Sequence, residues 1–137
     1  MVRKRLNIYR DMKSLEKSLV ILRNAFFKKA FNIIVLNSLN VIMLLKILHK
    51  RGFLFNYTYY NKRKILVKSK FFVYRELRIL YKSSKPEYLS ARQLAVRYSK
   101  KRKNEILIVS TTPYGIRTVD QAIFLNVGGF LVCVIKY

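Results

Sequence analysis

The last third of the chain constrains the fold most, because it alternates β-branched runs with strong structure-breaking signals. The apolar run at residues 106–109 is typical of a buried strand, and the hydroxyl-rich, Pro- and Gly-containing stretch at residues 110–115 predicts a turn. A short helix, a break at Gly128-Gly129 and a final strand at residues 130–135 follow. This order predicts a polar loop held at a sheet end, a common way to offer fixed hydrogen-bonding groups to a partner.

The charge of the chain narrows the kind of partner. The formal net charge is +23, from 29 Lys and Arg against 6 Asp and Glu. Self-repulsion at that density opposes compaction, so we expect the fold to be completed beside a polyanion. Nucleic acid is the first candidate and an anionic membrane is the second.

A length of 137 residues with 52% hydrophobic composition suits one compact domain or two small lobes with a continuous core.

The sequence lacks the motifs of catalysis, nucleotide binding and metal binding. It has no Gly-x-Gly-x-x-Gly, no phosphate loop and no Gly-x-Ser-x-Gly, and its six acidic residues are scattered singly. Cys133 lies in an apolar run and is expected to be a small buried hydrophobe, and His49 has no ligand-spaced neighbours. We therefore predict no enzyme activity, no cofactor, no metal and no small-molecule substrate.

No transmembrane segment is expected. The longest uncharged stretch, residues 30–45, contains Asn and Ser and is shorter than the roughly 20 apolar residues that a bilayer span needs. The basic start of the chain has some transit-peptide character, although Asp11 and Glu16 follow quickly and no cleavage-like stretch is present. A basic tail over residues 1–13 is at least as good an interpretation.

The remaining elements follow from periodicity and breakers. Asp11 or Ser14 can cap a first helix that runs to about Phe27, with apolar residues at spacings of three and four. The other predictions are a strand at 31–36, a turn and cap at Asn37-Ser38, a helix at 39–50 ended by Gly52, β-rich runs at 53–60 and 64–73 around a turn at 61–63, a strand at 77–82 and a short helix at 90–98.

The closing segment resembles that of the universal small-subunit ribosomal protein S-eight family, which carries Val-Ser-Thr-Ser-Lys-Gly, a helix introduced by Thr, then Gly-Gly-Glu and a final strand. The spacing from Gly115 to Gly128-Gly129 fits the family without a gap, and Thr118 and Ala122 fall on the family's Thr and Ala. The turn either has one extra residue or places Thr111-Thr112 on the family's Ser-Thr.

The resemblance extends from about residue 14 to the C terminus. Arg23-Asn24 resembles an Ile-Arg-Asn near the end of the family's first helix, and Gly52-Phe53 falls on a Gly-Phe at the same junction. The loop at residues 84–88 resembles a Ser-Arg-Pro-Gly loop that leads to a Tyr, without the Gly. Two departures lie in the closing segment: Phe130 replaces the usual Glu, and Tyr114 replaces the basic residue before the turn glycine.

The resemblance implies an α+β fold of two small α/β lobes. The N-terminal lobe, residues 14–75, would be helix-strand-helix-strand-strand, and the C-terminal lobe, residues 76–137, mostly β with a short helix. The implied function is that of a structural constituent of the small ribosomal subunit, which binds the central domain of small-subunit rRNA beside neighbouring small-subunit ribosomal proteins. The composition looks organellar, with the mitochondrion first and a plastid-type organelle second. The alternative is a basic peripheral membrane-binding protein that uses Phe26-Phe27 as an interfacial anchor.

RNA contacts are expected from three kinds of side chain. Lys and Arg neutralise phosphates, hydroxyls bond to base edges and ribose 2′-hydroxyls, and Tyr114 can stack on an unpaired base. The basic run at residues 100–103 favours a phosphate contact, although such a run can also be a solvated loop. The predicted RNA-binding residues are Arg23, Asn24, Lys28, Lys29, Asn37, Ser38, Lys85, Pro86, Tyr88, Lys100, Lys101, Arg102, Lys103, Ser110, Thr111, Thr112, Tyr114, Gly115, Thr118, Gly128 and Gly129.

Overall fold

The computed structural model describes the chain except for residues 1, 71, 72, 74, 99–103 and 113, and it describes side chains from residue 12 onward. The described residues form four helices, eight strands and two antiparallel sheets. The mixed α+β class predicted from the sequence is therefore confirmed. The chain divides into two compact units, Met1–Val73 and Tyr74–Tyr137.

The first unit packs two helices with a three-stranded sheet of order β1-β3-β2. Its elements are α1 (Val2–Phe27), β1 (Asn32–Leu36), α2 (Leu39–Lys50), β2 (Leu54–Tyr59) and β3 (Lys64–Ser69). Leucines at helical spacing on α1 and α2 and alternate residues of β1 and β3 are buried, as the periodicity predicts. These core side chains include Leu15, Leu19, Leu22, Leu44, Leu45, Leu48, Ile33, Val35, Ile65 and Val67.

The first helix begins earlier than its predicted start near Asp11 or Ser14. The backbone is helical from Val2, so neither Asp11 nor Ser14 is its cap, and the stretch interpreted as a basic tail is helical as well. Residues 2–13 contain no Gly or Pro, so nothing in them ends a helix. Further along α1, the buried Ser18 hydroxyl accepts a hydrogen bond from the Leu36 amide at 3.2 Å, which ties the helix to β1.

The second unit contains a five-stranded sheet with two short helices. Its elements are β4 (Glu76–Ile79), β5 (Tyr88–Leu89), α3 (Ala91–Tyr98), β6 (Glu105–Thr111), β7 (Gly115–Thr118), α4 (Val119–Leu125) and β8 (Gly129–Lys136). The strand order is β4-β8-β6-β7, and β5 also pairs with β8. Its hydrophobic core joins the sheet to α3 and α4 through Leu89, Leu94, Leu107, Val109, Val119, Ala122 and Leu131.

The closing segment differs from its prediction around the turn. Ser110 and Thr111 belong to β6, and a further strand, β7, stands where the start of a helix was expected. Gly115 has a φ of +77°, which lets the chain reverse and pair β7 with β6. A strand of four residues is too short to give a periodic signal, so the sequence alone did not indicate it.

Candidate nucleic-acid interface

One end of the C-terminal sheet carries a row of accessible side chains on three adjacent strands. Tyr88 of β5 pairs with Phe130 of β8, and Phe130 also pairs with Ser110 of β6. Residues that oppose each other in an antiparallel ladder project to the same face, so these three side chains lie side by side. Tyr88 is 56% exposed, Phe130 is 37% exposed and Ser110 is half-buried. The row therefore offers two aromatic rings and a hydroxyl to a partner.

The β6–β7 hairpin extends this row beyond the sheet. Thr111 opposes Gly115 in the ladder, and its hydroxyl donates to the Gly115 carbonyl oxygen at 2.8 Å. The Arg117 Nε donates to the Tyr114 carbonyl oxygen at 3.2 Å. These bonds fix the tip, from which the side chains of Thr112 and Tyr114 project into solvent. We call Tyr88, Ser110, Thr112, Tyr114 and Phe130 together the sheet-end surface.

Two predicted contact residues use their hydroxyls inside the fold. Thr111 is only 5% exposed and Thr118 only 3%. The Thr118 hydroxyl accepts from the Gln121 amide at 3.3 Å, and the Gln121 side-chain oxygen accepts from the Thr118 amide at 3.1 Å, which together form the capping box of α4. Both threonines are predicted RNA contacts, and in the structure both are buried with their hydroxyls hydrogen-bonded within the fold.

The Gly128-Gly129 pair allows β8 to enter the sheet between its neighbours. A Cβ added at Gly129 would lie 2.6 Å from the Ser110 carbonyl oxygen, and one at Gly128 would lie 2.6 Å from the Leu89 carbonyl oxygen. Such approaches are far below van der Waals contact, so any side chain here would push the strands apart. The two glycines place Phe130 in its row, and their close packing accounts for them without a ligand contact.

Phe130 is the member of this surface that is not among the predicted contacts. Its ring lies 5.2 Å from the Tyr88 ring, centroid to centroid, at an interplanar angle of 70°. Such an edge-on geometry is favourable for an aromatic pair. The only sequence signal was that Phe130 departs from the expected Glu, and nothing in the sequence could show that Tyr88 is its partner.

The loop before β5 leads directly into the sheet-end surface. Lys85, Pro86 and Glu87 are exposed in it. The Leu131 amide donates to the Glu87 carbonyl oxygen at 3.0 Å, so the end of this loop is fixed against β8. The Glu87 carboxylate also forms an ion pair with Arg97 of α3 at 3.5 Å, which is solvent-exposed and contributes little stability. Lys85 is thus a cation close in sequence to Tyr88.

Four of the predicted contacts in the first unit lie at the end of α1. Arg23, Asn24, Lys28 and Lys29 are exposed at the C-terminal end of α1. Lys29 has a φ of +55°, and the Ala30 amide donates to the Ala25 carbonyl oxygen at 2.9 Å, so the helix ends in a closed turn.

The basic run of Lys100, Lys101, Arg102 and Lys103 lies outside the described residues.

Asn37 and Ser38, which are among the predicted RNA contacts, both form hydrogen bonds within the fold. The Ser38 hydroxyl accepts from the Val41 amide at 3.3 Å and caps α2, as the turn-and-cap prediction implied. The Asn37 side-chain amide donates to the Lys62 carbonyl oxygen at 3.1 Å, and its backbone amide donates to the Arg63 carbonyl oxygen at 2.7 Å. Asn37 therefore holds the β2–β3 loop in place.

Other kinds of site find little support in the described part of the chain. No group of three His, Cys, Asp or Glu side chains there is placed to hold a metal ion. Burial raises the pKa of the Cys133 thiol to about 12, so this group is not a ready nucleophile. None of the described helices has both the length and the apolar character to cross a membrane.

Comparison with known proteins gives the family. The model of the ribosomal protein S8 family matches residues 13–136, which is nearly the whole chain and includes every described element of the sheet-end surface. Among curated proteins no match is found. The chain therefore belongs to the ribosomal protein S8 family, whose members are structural proteins of the small ribosomal subunit and not enzymes.

Proposed function

We propose that this protein binds the central domain of small-subunit rRNA and thereby supports subunit assembly and translation. The observation that carries the proposal is the sheet-end surface, a fixed set of hydroxyls and aromatic rings on a chain whose net charge is +23. Lys and Arg give affinity with little sequence choice, so discrimination must come from uncharged groups held in a defined geometry. The sheet-end surface supplies such groups.

The roles within this surface follow from exposure and chemistry. Ser110 and Thr112 bond to base edges and ribose 2′-hydroxyls in the shallow minor groove of an RNA helix, and Tyr114 stacks on an unpaired base. Lys85 contacts a neighbouring phosphate. The residues that act indirectly, by shaping the surface, are Thr111, Gly115, Thr118, Gly128 and Gly129.

A competition experiment tests this assignment. The wild-type protein should prefer a transcript of the cognate central-domain helix over a scrambled duplex, and replacing Ser110 by Ala together with Thr112 by Val should reduce that preference by roughly 1–3 kcal/mol. Neither substitution removes a charge, so the slope of log affinity against log salt should stay the same. An unchanged preference in the double variant would mean that these hydroxyls do not contribute to RNA recognition and that the surface has a structural role only.

The exposed end of α1 is proposed to position the first unit through phosphates. The double change Lys28→Ala/Lys29→Ala should weaken binding to cognate and unrelated RNA hairpins about equally, and should lower the salt slope by up to about two. The distinguishing result is selectivity, because a loss confined to the cognate RNA would mean that these lysines read sequence.

The alternative of membrane binding through Phe26-Phe27 is weakened by the position of the two rings. Phe27 is exposed, but Phe26 is a core residue, so the two rings do not form a joint anchor. Adding vesicles of phosphatidylserine and phosphatidylcholine to the RNA competition compares the two partners directly. We expect the cognate transcript to displace the protein from vesicles, whereas displacement of RNA by vesicles would favour the alternative.

We further propose that the small subunit in question is mitochondrial, with a plastid-type organelle as the alternative. The basic start and the abundance of Lys, Ile, Tyr and Phe support this location. A full-length chain with a C-terminal tag should co-sediment with the small subunits of isolated mitochondria, together with neighbouring small-subunit proteins. Recovery with cytosolic small subunits would contradict the location without affecting the RNA-binding proposal.

A further inference from the structure

The β2–β3 hairpin ends in a loop that combines two exposed aromatic rings with three consecutive cations. Tyr59 is 72% exposed and Tyr60 is 59% exposed. Lys62, Arg63 and Lys64 follow, and all three are exposed. We call residues 59–64 the basic hairpin tip. Tyrosine presents a large apolar face with a polar end, and adjacent exposed tyrosines are typical of surfaces that contact a partner.

The loop is closed by its own hydrogen bonds. The amides of Tyr60 and Asn61 donate to the Lys64 carbonyl oxygen at 3.0 and 3.2 Å. The Asn61 side-chain oxygen accepts from the Arg63 amide at 2.8 Å. Such side-chain bonds to the backbone two residues on define a tight Asx-type turn. The backbone that presents the rings and cations is therefore fixed before any partner binds.

The tip is also held from outside the hairpin. Asn37, in the turn between β1 and α2, donates through its side chain to the Lys62 carbonyl oxygen at 3.1 Å and through its backbone to the Arg63 carbonyl oxygen at 2.7 Å. These bonds engage the carbonyls and leave the basic side chains facing solvent. A pre-organised loop loses less conformational entropy on binding than a mobile one.

Within the described residues, none of the three cations of the tip forms an ion pair. The sequence contains no acidic residue between Glu16 and Glu76, so β1, α2, β2 and β3 carry no carboxylate that could neutralise the tip. Three adjacent cations without an ion-pair partner attract an external polyanion. The aromatic rings beside them restrict the kind of polyanion, because they offer flat faces for stacking.

We propose that the basic hairpin tip binds an unpaired stretch of RNA, with Tyr59 and Tyr60 stacking on bases and Lys62, Arg63 and Lys64 contacting the flanking phosphates. Single-stranded RNA presents unstacked base faces and phosphates at neighbouring positions, which matches this arrangement, whereas a duplex hides its base faces. The inference rests on the proposed function, and adds to it a second RNA contact on a different unit from the sheet-end surface.

The test uses the full-length chain and two RNAs. One is a blunt-ended transcript of the central-domain rRNA helix, and the other is the same helix with a single-stranded tail of about eight uridines, within the usual site size of single-strand binding surfaces. The wild type should bind the tailed RNA about tenfold more tightly. The change Tyr59→Ala/Tyr60→Ala should reduce the affinity for the tailed RNA at least about fivefold, with no change for the blunt helix.

Matched variants show whether weaker RNA binding comes from lost base stacking, from lost apolar surface or from loss of the folded state. The change Tyr59→Leu/Tyr60→Leu keeps an apolar side chain but removes the π-face, so it should lose the tail-dependent gain as well. The change Phe124→Ala removes a ring that is 89% exposed in the other unit, and it should keep the gain. Replacing all three basic residues of the tip by Ala should lower the salt slope for the tailed RNA by about two. Circular dichroism verifies that each variant is folded.

The outcomes distinguish this inference from the proposed function. If the tyrosine variants retain the tail-dependent gain, or if they lose affinity for phosphatidylserine vesicles and not for the tailed RNA, the inference is overturned. A wild type that binds the blunt helix but gains nothing from the tail also overturns it, and leaves the proposed function standing. A wild type that does not bind the blunt helix contradicts the proposed function instead.

Discussion

Tyr88 and Phe130 face each other across the pairing of β5 with β8, and their ring centroids are 5.2 Å apart. β5 has only two residues, so few backbone hydrogen bonds hold it in the sheet. The contact between the rings adds to those bonds. We infer that the aromatic pair helps to keep the end of the sheet closed.

A double-mutant cycle measures this contribution. We expect Tyr88→Ala, Phe130→Ala and the double variant to give a coupling free energy of about 0.5–1.5 kcal/mol in unfolding. The contact between the rings is already lost in either single variant, so the second truncation costs less than it does in the wild type. The measurement is urea unfolding followed by circular dichroism. Strictly additive effects would mean that the rings do not stabilise each other.

Substitutions of the two neighbouring threonines of the hairpin should have different effects, one on stability and the other on RNA binding. Thr111→Val removes the bond to the Gly115 carbonyl oxygen and should lower the free energy of unfolding by about 1 kcal/mol. Thr112→Val leaves the fold intact because its side chain is exposed, and it should reduce the preference for cognate RNA. Unfolding and RNA competition are measured on both variants. The reverse assignment of effects would place the contact on Thr111.

The glycines of the second unit should tolerate no side chain. Gly129→Ala brings a Cβ within 2.6 Å of a backbone oxygen, so we expect a loss of about 3 kcal/mol in unfolding free energy together with reduced RNA preference. Gly52→Ala is the control. Gly52 has a φ of +83° and no atom near the added Cβ, so the strain of a left-handed residue, about 1 kcal/mol, is its only cost. Equal losses of unfolding free energy in the two variants would show that the structure accommodates a Cβ at Gly129 with little strain.

Burial of Cys133 makes stability depend on pH in the alkaline range. Its pKa rises from 9.0 to about 12 on folding because burial disfavours the thiolate. Above about pH 9 the unfolded chain releases a proton that the folded chain keeps, so stability falls as pH rises, by about 1.4 kcal/mol per pH unit until the folded pKa is reached. The unfolding free energy of the wild type minus that of Cys133→Ala isolates this effect from the lysines. A difference that is constant with pH would contradict it.

Much of the fold could be predicted because long elements give clear signals. The spacing of Leu15, Leu19 and Leu22 marks one buried helix face, and all three are fully buried. The predicted order of elements in the first unit is confirmed for the same reason. β7 could not be predicted, since its pairing depends on the reversal at Gly115 and four residues carry no usable period.

The site was harder to predict than the fold, because neighbouring residues of the same type have opposite surroundings. Thr111 and Thr112 are indistinguishable in sequence, yet Thr111 ends β6 and is buried, whereas Thr112 lies in the turn after the strand and is exposed. Asn37 is a predicted RNA contact, and the structure adds hydrogen bonds from it to the loop at residues 62–63, which is distant in sequence. Such pairings depend on tertiary contacts and carry no local pattern.

The most direct test of the account is to cleave RNA from a known position on the protein. Ser84 is exposed in the loop before β5, so Ser84→Cys accepts an iron chelate that generates hydroxyl radicals, while the fully buried Cys133 stays unmodified. Lys46→Cys, exposed on α2 of the first unit, is the matched control position. Wild-type protein treated in the same way measures background cleavage.

If the sheet-end surface binds the central domain of small-subunit rRNA, the chelate at residue 84 should cut a narrow cluster of nucleotides in one helix of that domain. The chelate at residue 46 should cut elsewhere or not at all, and the wild type should give background only. Diffuse cleavage along the transcript, with the same pattern from both positions, would show that the protein binds RNA through its charge alone and would contradict the account.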